Sequence, residues 1–489
     1  FGRAIFSHDD KYMGIVTMRA DGSSKFAEGH QWGYFPSGSV AWRISNEKFF
    51  AGMRSKVSDL KLRFSMGQSG NNRIGDFLYL PQFALYPPYS INNTPVIGYG
   101  PVLDSGNPVL ANSNLQWETT ISRNVGLDVS FLENRVNLTV DVYNNSVQDL
   151  LIRTPVPTSS GYQIQSQNVG STSNSGVEIQ LNGTAIQHQD FNWKVNFNIS
   201  FNQNKIESLG RQNSFLFNSG WANNSPFDYA VIVGQPTGTI WGLVNDGFYQ
   251  VDDFDYNPTT QAYTLKAGIA NDQGVTSIVP KPGVIKYKDL NGDGVVNDND
   301  RTSLGSANPT FFGGLNNQFT YKNFDLSIFI NFQSGNKVLN ANKLEFTSGY
   351  TTNSNLLSIM NNRFRNVNDE GLVVTDPDAL KALNANATLW SPLLSASSFY
   401  VNSWAVEDGS FIRINNITLG YTLPASLLQK IKIQKLRVYT TANNLAVFTN
   451  YSGYDPDVNT RRATPITPGV DYSAYPRSRL YIIGLNVTF

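Results

Sequence analysis

Oxygen-bearing side chains at alternate positions can converge on a cation, and one stretch of this chain has them. Residues Asp289–Asp300 read DLNGDGVVNDND. Asp289, Asn291 and Asp293 fall at positions 1, 3 and 5 of a twelve-residue calcium loop, and Gly294 at position 6 permits the sharp turn. Val295 at position 7 offers its carbonyl, and Asn297 at position 9 acts through water. Asp300 closes the loop where a bidentate Glu is usual. Asp is shorter than Glu, so the pattern predicts a weak Ca2+ site or an altered geometry. No helical pattern clearly flanks the loop, which argues against a paired EF-hand. The competing reading is an Asx- and Gly-rich turn without an ion. Either way, the expected role is to stiffen a long loop, not to catalyse.

Other chemistry is scarce. The chain has no cysteine, which excludes a disulfide framework, a thiolate metal site and a cysteine nucleophile. His8, His30 and His188 are the three histidines, and no two stand at ligand spacing. Carboxylates such as Glu118, Asp128, Asp141 and Asp149 lie on or beside strand-like segments, with no paired nucleophile and base, so no enzyme is expected. Lys+Arg and Asp+Glu each number 37, so no basic excess points to nucleic acid. The remaining candidates are aromatics between the strands: Trp221, Trp241, Trp390, Tyr400 and Trp404, with Tyr86, Tyr89, Phe227, Tyr229, Tyr350 and Phe399. Rings stack on sugars and peptides while neighbouring amides orient them. The competing readings are packing among loops, contact with a partner, or membership of a membrane-interface belt.

What positions these residues is β structure. Only 15% of residues are charged, against about a quarter in ordinary soluble domains, and aromatics reach 12% with 40 glycines. In 192–201 the apolar set Trp193, Val195, Phe197, Ile199 and Phe201 alternates with Asn192, Lys194, Asn196, Asn198 and Ser200. The stretches 135–142 and 324–332 alternate in the same way. Twelve strands are expected near 11–20, 33–44, 57–68, 117–131, 135–152, 169–187, 191–201, 310–321, 324–332, 409–423, 435–449 and 479–489. Residues 1–6 read as the end of another, as in a fragment.

Alternation of this kind suits a soluble sandwich or a transmembrane barrel. Connection lengths separate the two. Short links are expected at 7–10, 45–56, 132–134, 188–190, 322–323 and 424–434. Long ones are expected at 21–31, 69–116, 153–168, 202–309, 333–408 and 450–478. One-sided long loops are the signature of an outer-membrane barrel. The strand-like stretch 234–251 is placed inside the loop 202–309, since counting it in the wall would invert every upstream parity. Residues 480–489 (LYIIGLNVTF) end the chain on an amphipathic strand with a terminal Phe489, which resembles an outer-membrane assembly signal.

Six blocks and the ending together resemble the SusC-like branch of TonB-dependent transporters. They are RADGSSKF at 19–26 with WGYFPSGSVAWRI at 32–44, DLNGDGVVNDNDRTSLG at 289–305, NPTFFGG at 308–314 with YKNFDLS at 321–327, SGYDPD at 452–457, and YPRSRLYIIGLNVTF at 475–489. The resemblance implies an all-β transmembrane antiparallel barrel of 22 strands, of which this chain supplies about twelve across 1–489. It implies long extracellular loops, short periplasmic turns and a location in the Gram-negative outer membrane. It also implies a plug domain and N-terminal barrel strands before residue 1, a SusD-like surface lipoprotein as lid, and energy from a TonB complex. The cargo would be an oligosaccharide or oligopeptide. Alternatives are a secreted soluble carbohydrate-binding or hydrolytic β protein, and a passive porin.

Overall fold

Thirteen strands run in sequence order, each antiparallel to the next. They are β1 (Gly2–His8), β2 (Tyr12–Gly22), β3 (Trp32–Arg43), β4 (Val57–Asn71), β5 (Glu118–Phe131), β6 (Val136–Pro155) and β7 (Ile164–Gln187). The series continues through β8 (Phe191–Leu209), β9 (Phe311–Tyr321), β10 (Phe324–Ser334), β11 (Phe411–Thr422), β12 (Lys435–Thr449) and β13 (Leu480–Thr488). The computed structural model describes all residues except 87–88, 105–106, 223–225, 349–354, 393–399, 429–432 and 461–465. Tyr350 and Phe399 therefore lie outside the described residues.

The two faces of this wall differ in kind. One row of paired residues reads Tyr12, Trp42, Leu62, Leu127, Val140, Ile179, Ile199, Gly313, Phe332, Ile412 and Phe448, crossing from β2 to β12. It starts at the first residue of β2 and leaves near the last of β12, so it climbs from one rim to the other. That stagger is what tilted barrel strands require. Apolar side chains of this face stay open to the surroundings: Val16, Val40, Phe64, Val125, Val142 and Ile412 among others. Ile483 is 82% exposed. Meanwhile the most buried apolar residues, such as Tyr249, Val284, Leu339 and Leu344, sit in the connections. A soluble sandwich would bury its strand faces first; a wall in lipid need not.

Aromatic pairs line the outer face near the shorter links: Tyr12 with Trp42, Trp193 with Phe319 at 5.6 Å, and Phe324 with Tyr421 at 4.6 Å. This is the girdle of a membrane interface. The inner face is polar. Arg63 on β4 holds Asp128 on β5 through two bonds of 2.9 and 3.0 Å, and reaches Asp141 on β6 at 3.1 Å. It crosses β5 above Gly126, where a Cβ would stand 2.5 Å from both Arg63 Nη2 and Asp141 Oδ1. The same device recurs where Arg437 on β12 passes over Gly420 to bond Asp325 on β10 at 2.8 Å.

The opening residues form strand β1, which pairs with β2 from Gly2↔Met18 to His8↔Tyr12 and adds a wall strand to the twelve expected. Several strands also outrun their expected ends: β6 reaches Pro155, β7 begins at Ile164 and β8 continues to Leu209. As a result the connection 156–163 is tight, and 23–31 between β2 and β3 is similarly short. The opposite rim carries longer ones at 44–56 and 423–434, with short helical turns at Lys48–Met53 and Ala425–Leu428. The one-sided pattern rests on 72–117, 210–310, 335–410 and 450–479.

Candidate functional site: the loop module

Three of the long connections, 210–310, 335–410 and 450–479, fold against each other instead of splaying. Residues Tyr229–Ile232 and Thr239–Gly242 pair within a four-stranded sheet that is separate from the wall, with Ser214–Phe217 and Thr302–Ser306 as its outer members. A second sheet draws on two connections, placing Lys337–Asn340 between Val406–Asp408 and Val470–Asp471. Two apolar clusters hold the module. One contains Tyr249, Val284, Tyr287, Val296, Met360, Phe364 and Trp390; the other contains Trp221, Tyr229, Ile240, Leu339, Leu344 and Val401.

This packing decides among the candidate aromatics. Trp221 and Trp390 are each 2% exposed and belong to the cluster interiors, so neither is available to a substrate or a lid. Trp390 donates its indole N–H to the Thr347 carbonyl at 2.9 Å and meets Trp404 edge-on at 4.9 Å. Burying an indole in this way serves the fold. Trp241, Tyr400 and Trp404 are half-buried and keep an accessible edge. Trp404 lies against both clusters, with the Lys343 ammonium 3.9 Å above its ring. Tyr229 is wholly buried, whereas Phe227 is exposed.

Polar ties between the connections were not foreseen. Lys343 pairs with Glu407 at 3.2 Å and donates to the Trp404 carbonyl at 2.8 Å. Glu407 also accepts from the Ser452 amide at 2.9 Å and hydroxyl at 2.7 Å. Burial pushes its carboxyl up, but the Ser452 bonds and Lys343 outweigh that and hold it below the usual range. Next to it, the Tyr451 hydroxyl donates to Asp471 at 2.6 Å. At the end of β11, buried Arg413 grips Asp455 at 2.6 and 3.0 Å, and Arg477 approaches the same carboxylate at 3.4 Å. The block 452–457 is thus a clamp between loop and wall. Its aspartates were visible in the sequence; Arg413, the partner of Asp455 at a distance of 42 residues, was not.

The loop 289–300 is closed by its own hydrogen bonds. Asp289 accepts from the Gly292 and Gly294 amides at 2.7 and 2.8 Å, with the Gly294 bond the main reason its carboxyl lies below the usual range. Asn291 accepts from Asp293 N at 2.9 Å, Asp293 from Val295 N at 2.9 Å, and Asn297 from Asn299 N at 2.8 Å. Gly294 has φ +86°, the left-handed conformation glycine adopts at no steric cost. Asp300 is fully buried and turned towards the backbone, accepting from Leu290 and Asn297 amides at 2.9 and 2.8 Å. Among the described residues no cluster of three or more histidine, aspartate and glutamate side chains forms here. Val296 sinks into the first cluster, and Val295 bridges to Asn271.

Asp272, beside that bridge, is a second residue the sequence did not single out. It is fully buried, and neither carboxylate oxygen has a hydrogen-bond partner. Burial is the main reason its carboxyl is pushed up to about 7, against partial relief from Tyr249 and Lys286. Asp228, held by the Ser219 amide at 2.7 Å, is pushed up to about 6 by burial.

A wall that is greasy outside and polar within, with its core in the loops of one rim, defines a bacterial outer-membrane barrel. Comparison with known proteins agrees. A family model described as TonB dependent receptor-like, beta-barrel matches residues 1–272, and the chain belongs to that family. It is 32% identical over its whole length to TonB-dependent receptor P3 of Formosa agariphila, covering 45% of that protein. It is 29% identical to TonB-dependent receptor SusC of Bacteroides thetaiotaomicron, covering 43% of it. The solved RagAB peptide transporter superposes with a TM-score of 0.75 at 23% identity, over 100% of this chain and 47% of that one. The chain spans about half the length of the curated relatives it matches. Its place is the Gram-negative outer membrane.

Proposed function

We propose that the complete protein imports an oligosaccharide or oligopeptide across the outer membrane, drawing energy through TonB. On this reading the present chain supplies barrel wall and outer loops, while an N-terminal barrel portion and plug complete the channel. A SusD-like surface lipoprotein closes over the loop module. The observation that carries the reading is that module itself: three connections welded by buried clusters and ion pairs into a preformed rim. A general porin has no need of so built a surface, but a docking lid does. The similarity to TonB-dependent receptor SusC supports TonB-driven uptake, and the likeness to the RagAB peptide transporter supports the peptide class of cargo. No catalytic step is assigned.

The test is purification of the intact transporter from native membranes in mild detergent. A surface lipoprotein should accompany it in comparable amount, and uptake of its cargo should cease when TonB is removed. A barrel that purifies alone and conducts without TonB would instead be a porin. Calcium at 289–300 is a further proposal, supported by the spacing of Asp289, Asn291 and Asp293. Ion binding would have to draw Asp300 or its neighbours from their backbone donors, which predicts weak affinity. Calorimetry with the wild type and Asp289→Asn would decide it, and equal heats from both would exclude the site.

A further inference from the structure

We propose that β1–β4 and the 44–56 turn form a binding site for one anionic glycerophospholipid of the periplasm-side leaflet. The inference rests on the outer-membrane placement, not on the identity of the cargo. Its apolar half is an open groove of about 530 Å³ on the lipid-facing wall, bordered by Val16, Val40, Phe64 and Met66 and floored by Gly14 and Gly38. A Cβ at Gly38 would meet only the Ile15 carbonyl at 3.5 Å, and one at Gly14 only Phe6 Cβ at 4.0 Å. The hollow is therefore open space left by missing side chains. On the same outer face Gly313, by contrast, is covered by the Phe332 ring, 2.7 Å from where a Cβ would stand.

A second hollow shares Gly14, Val40 and Phe64 with the first and runs to Tyr12 and Trp42 at the rim. There the Tyr12 hydroxyl and the Trp42 indole N–H both donate to Glu47, at 2.6 and 3.2 Å, with Lys11 3.4 Å from the same carboxylate. Glu47 opens the helical turn Lys48–Met53, which buries Phe50 and leaves Phe49 and Met53 exposed. Exposed Lys48, Arg54 and Lys56 flank those two apolar side chains. Arg54 is steadied by the Ser45 carbonyl at 2.9 Å, and among the described residues neither lysine is paired with a carboxylate. Apolar side chains dipping into a bilayer beside exposed cations are how a peripheral segment holds a headgroup.

Groove and turn meet at Glu47, so one molecule can satisfy both. An acyl chain would fill the hollow that continues the lipid-facing band, and its phosphate would lie against Lys48, Arg54 and Lys56. Charge complementarity selects an anionic headgroup over a zwitterionic one. Short barrel turns face the periplasm, which fixes the leaflet.

The test is native mass spectrometry of the intact transporter with added phosphatidylglycerol or phosphatidylethanolamine, after heat-modifiable migration has shown the barrel folded. The wild type should retain phosphatidylglycerol preferentially. Each basic side chain near an anionic surface contributes roughly fivefold, so K48Q/R54Q/K56Q should weaken retention by on the order of a hundredfold at low salt. Gly38→Leu, which fills the groove on extended backbone, should lose both lipids. A photoactivatable phosphatidylglycerol on the wild type gives a reading free of variants: labels should concentrate in 36–42 and 48–56. Retention unchanged in the triple variant, or labels spread evenly over the outward strands, would overturn the site while leaving the barrel's membrane placement intact.

Discussion

Replacing Asp272 by Asn should make the loop module insensitive to pH in the range where the native protein is not. The carboxyl is fully buried, and burial outweighs the relief from Tyr249 and lifts it from 3.8 to about 7. Folding thus raises its proton affinity, so its contribution to stability is complete below the unfolded value. That contribution is lost as pH rises through the folded one. The full span is about 4 kcal/mol, of which roughly 2.5 kcal/mol falls between pH 5 and pH 8. Lys286 and the rings of Tyr249 and Tyr287 surround the group and are unchanged by the substitution. Hydrogen exchange on peptides covering 245–300, corrected for intrinsic rate, should show opening about fifty- to a hundredfold more frequent at pH 8 than at pH 5. In Asp272→Asn the two should agree closely. Equal pH dependence in native and variant proteins would refute the assignment of the strain to this carboxyl.

Arg413→Ala removes one partner of a buried pair, for which the ordinary loss is about 3–5 kcal/mol. Arg477 remains 3.4 Å from Asp455, so the lower end is expected, read as faster proteolysis within 450–479. Gly126→Val drives a Cβ into Arg63 and Asp141 and breaks charged bonds of a half-exposed pair. A loss of about 1–2 kcal/mol should lower the temperature at which the folded gel species disappears, and an unchanged transition would contradict the crossing geometry. Trp390→Ala should cost the loop module about 3–5 kcal/mol and impair lid capture indirectly, while leaving the wall's thermal transition unchanged. Selective loss of cargo affinity with a fully protected module would instead make Trp390 a contact residue.

The wall was legible because lipid and water impose opposite demands on alternate residues, and the sequence of β8 displays that as far as Phe201. Beyond it, Asn202–Leu209 continues the strand with polar residues such as Asn204 and Lys205, since past the bilayer both faces are wet and alternation carries less information. Strand ends on the loop side were therefore underestimated. In β1, only seven residues stood against the start of the chain, and pairing with β2 was needed to complete the pattern. The aromatics Trp221 and Trp390 were sound as a composition signal but wrong as contacts, because burial depends on connections far apart in sequence. The same holds for Asp272, enclosed by Tyr249 and Tyr287. Spacing identified the turn at 289–300 correctly, yet could not show that Asp300 spends both oxygens on the backbone.

The central claim is that lipid covers one face of these strands and water the other. This chain contains no cysteine, so every thiol placed in it is informative. Single cysteines at Ile179 and Ile199 on the apolar row, and at Glu178 and Ser200 on the opposite face, should be compared in proteoliposomes. A membrane-impermeant maleimide should modify the second pair and spare the first, while brominated lipid should quench a fluorophore on the first pair alone. Equal labelling of all four, or quenching on the polar face, would contradict the account.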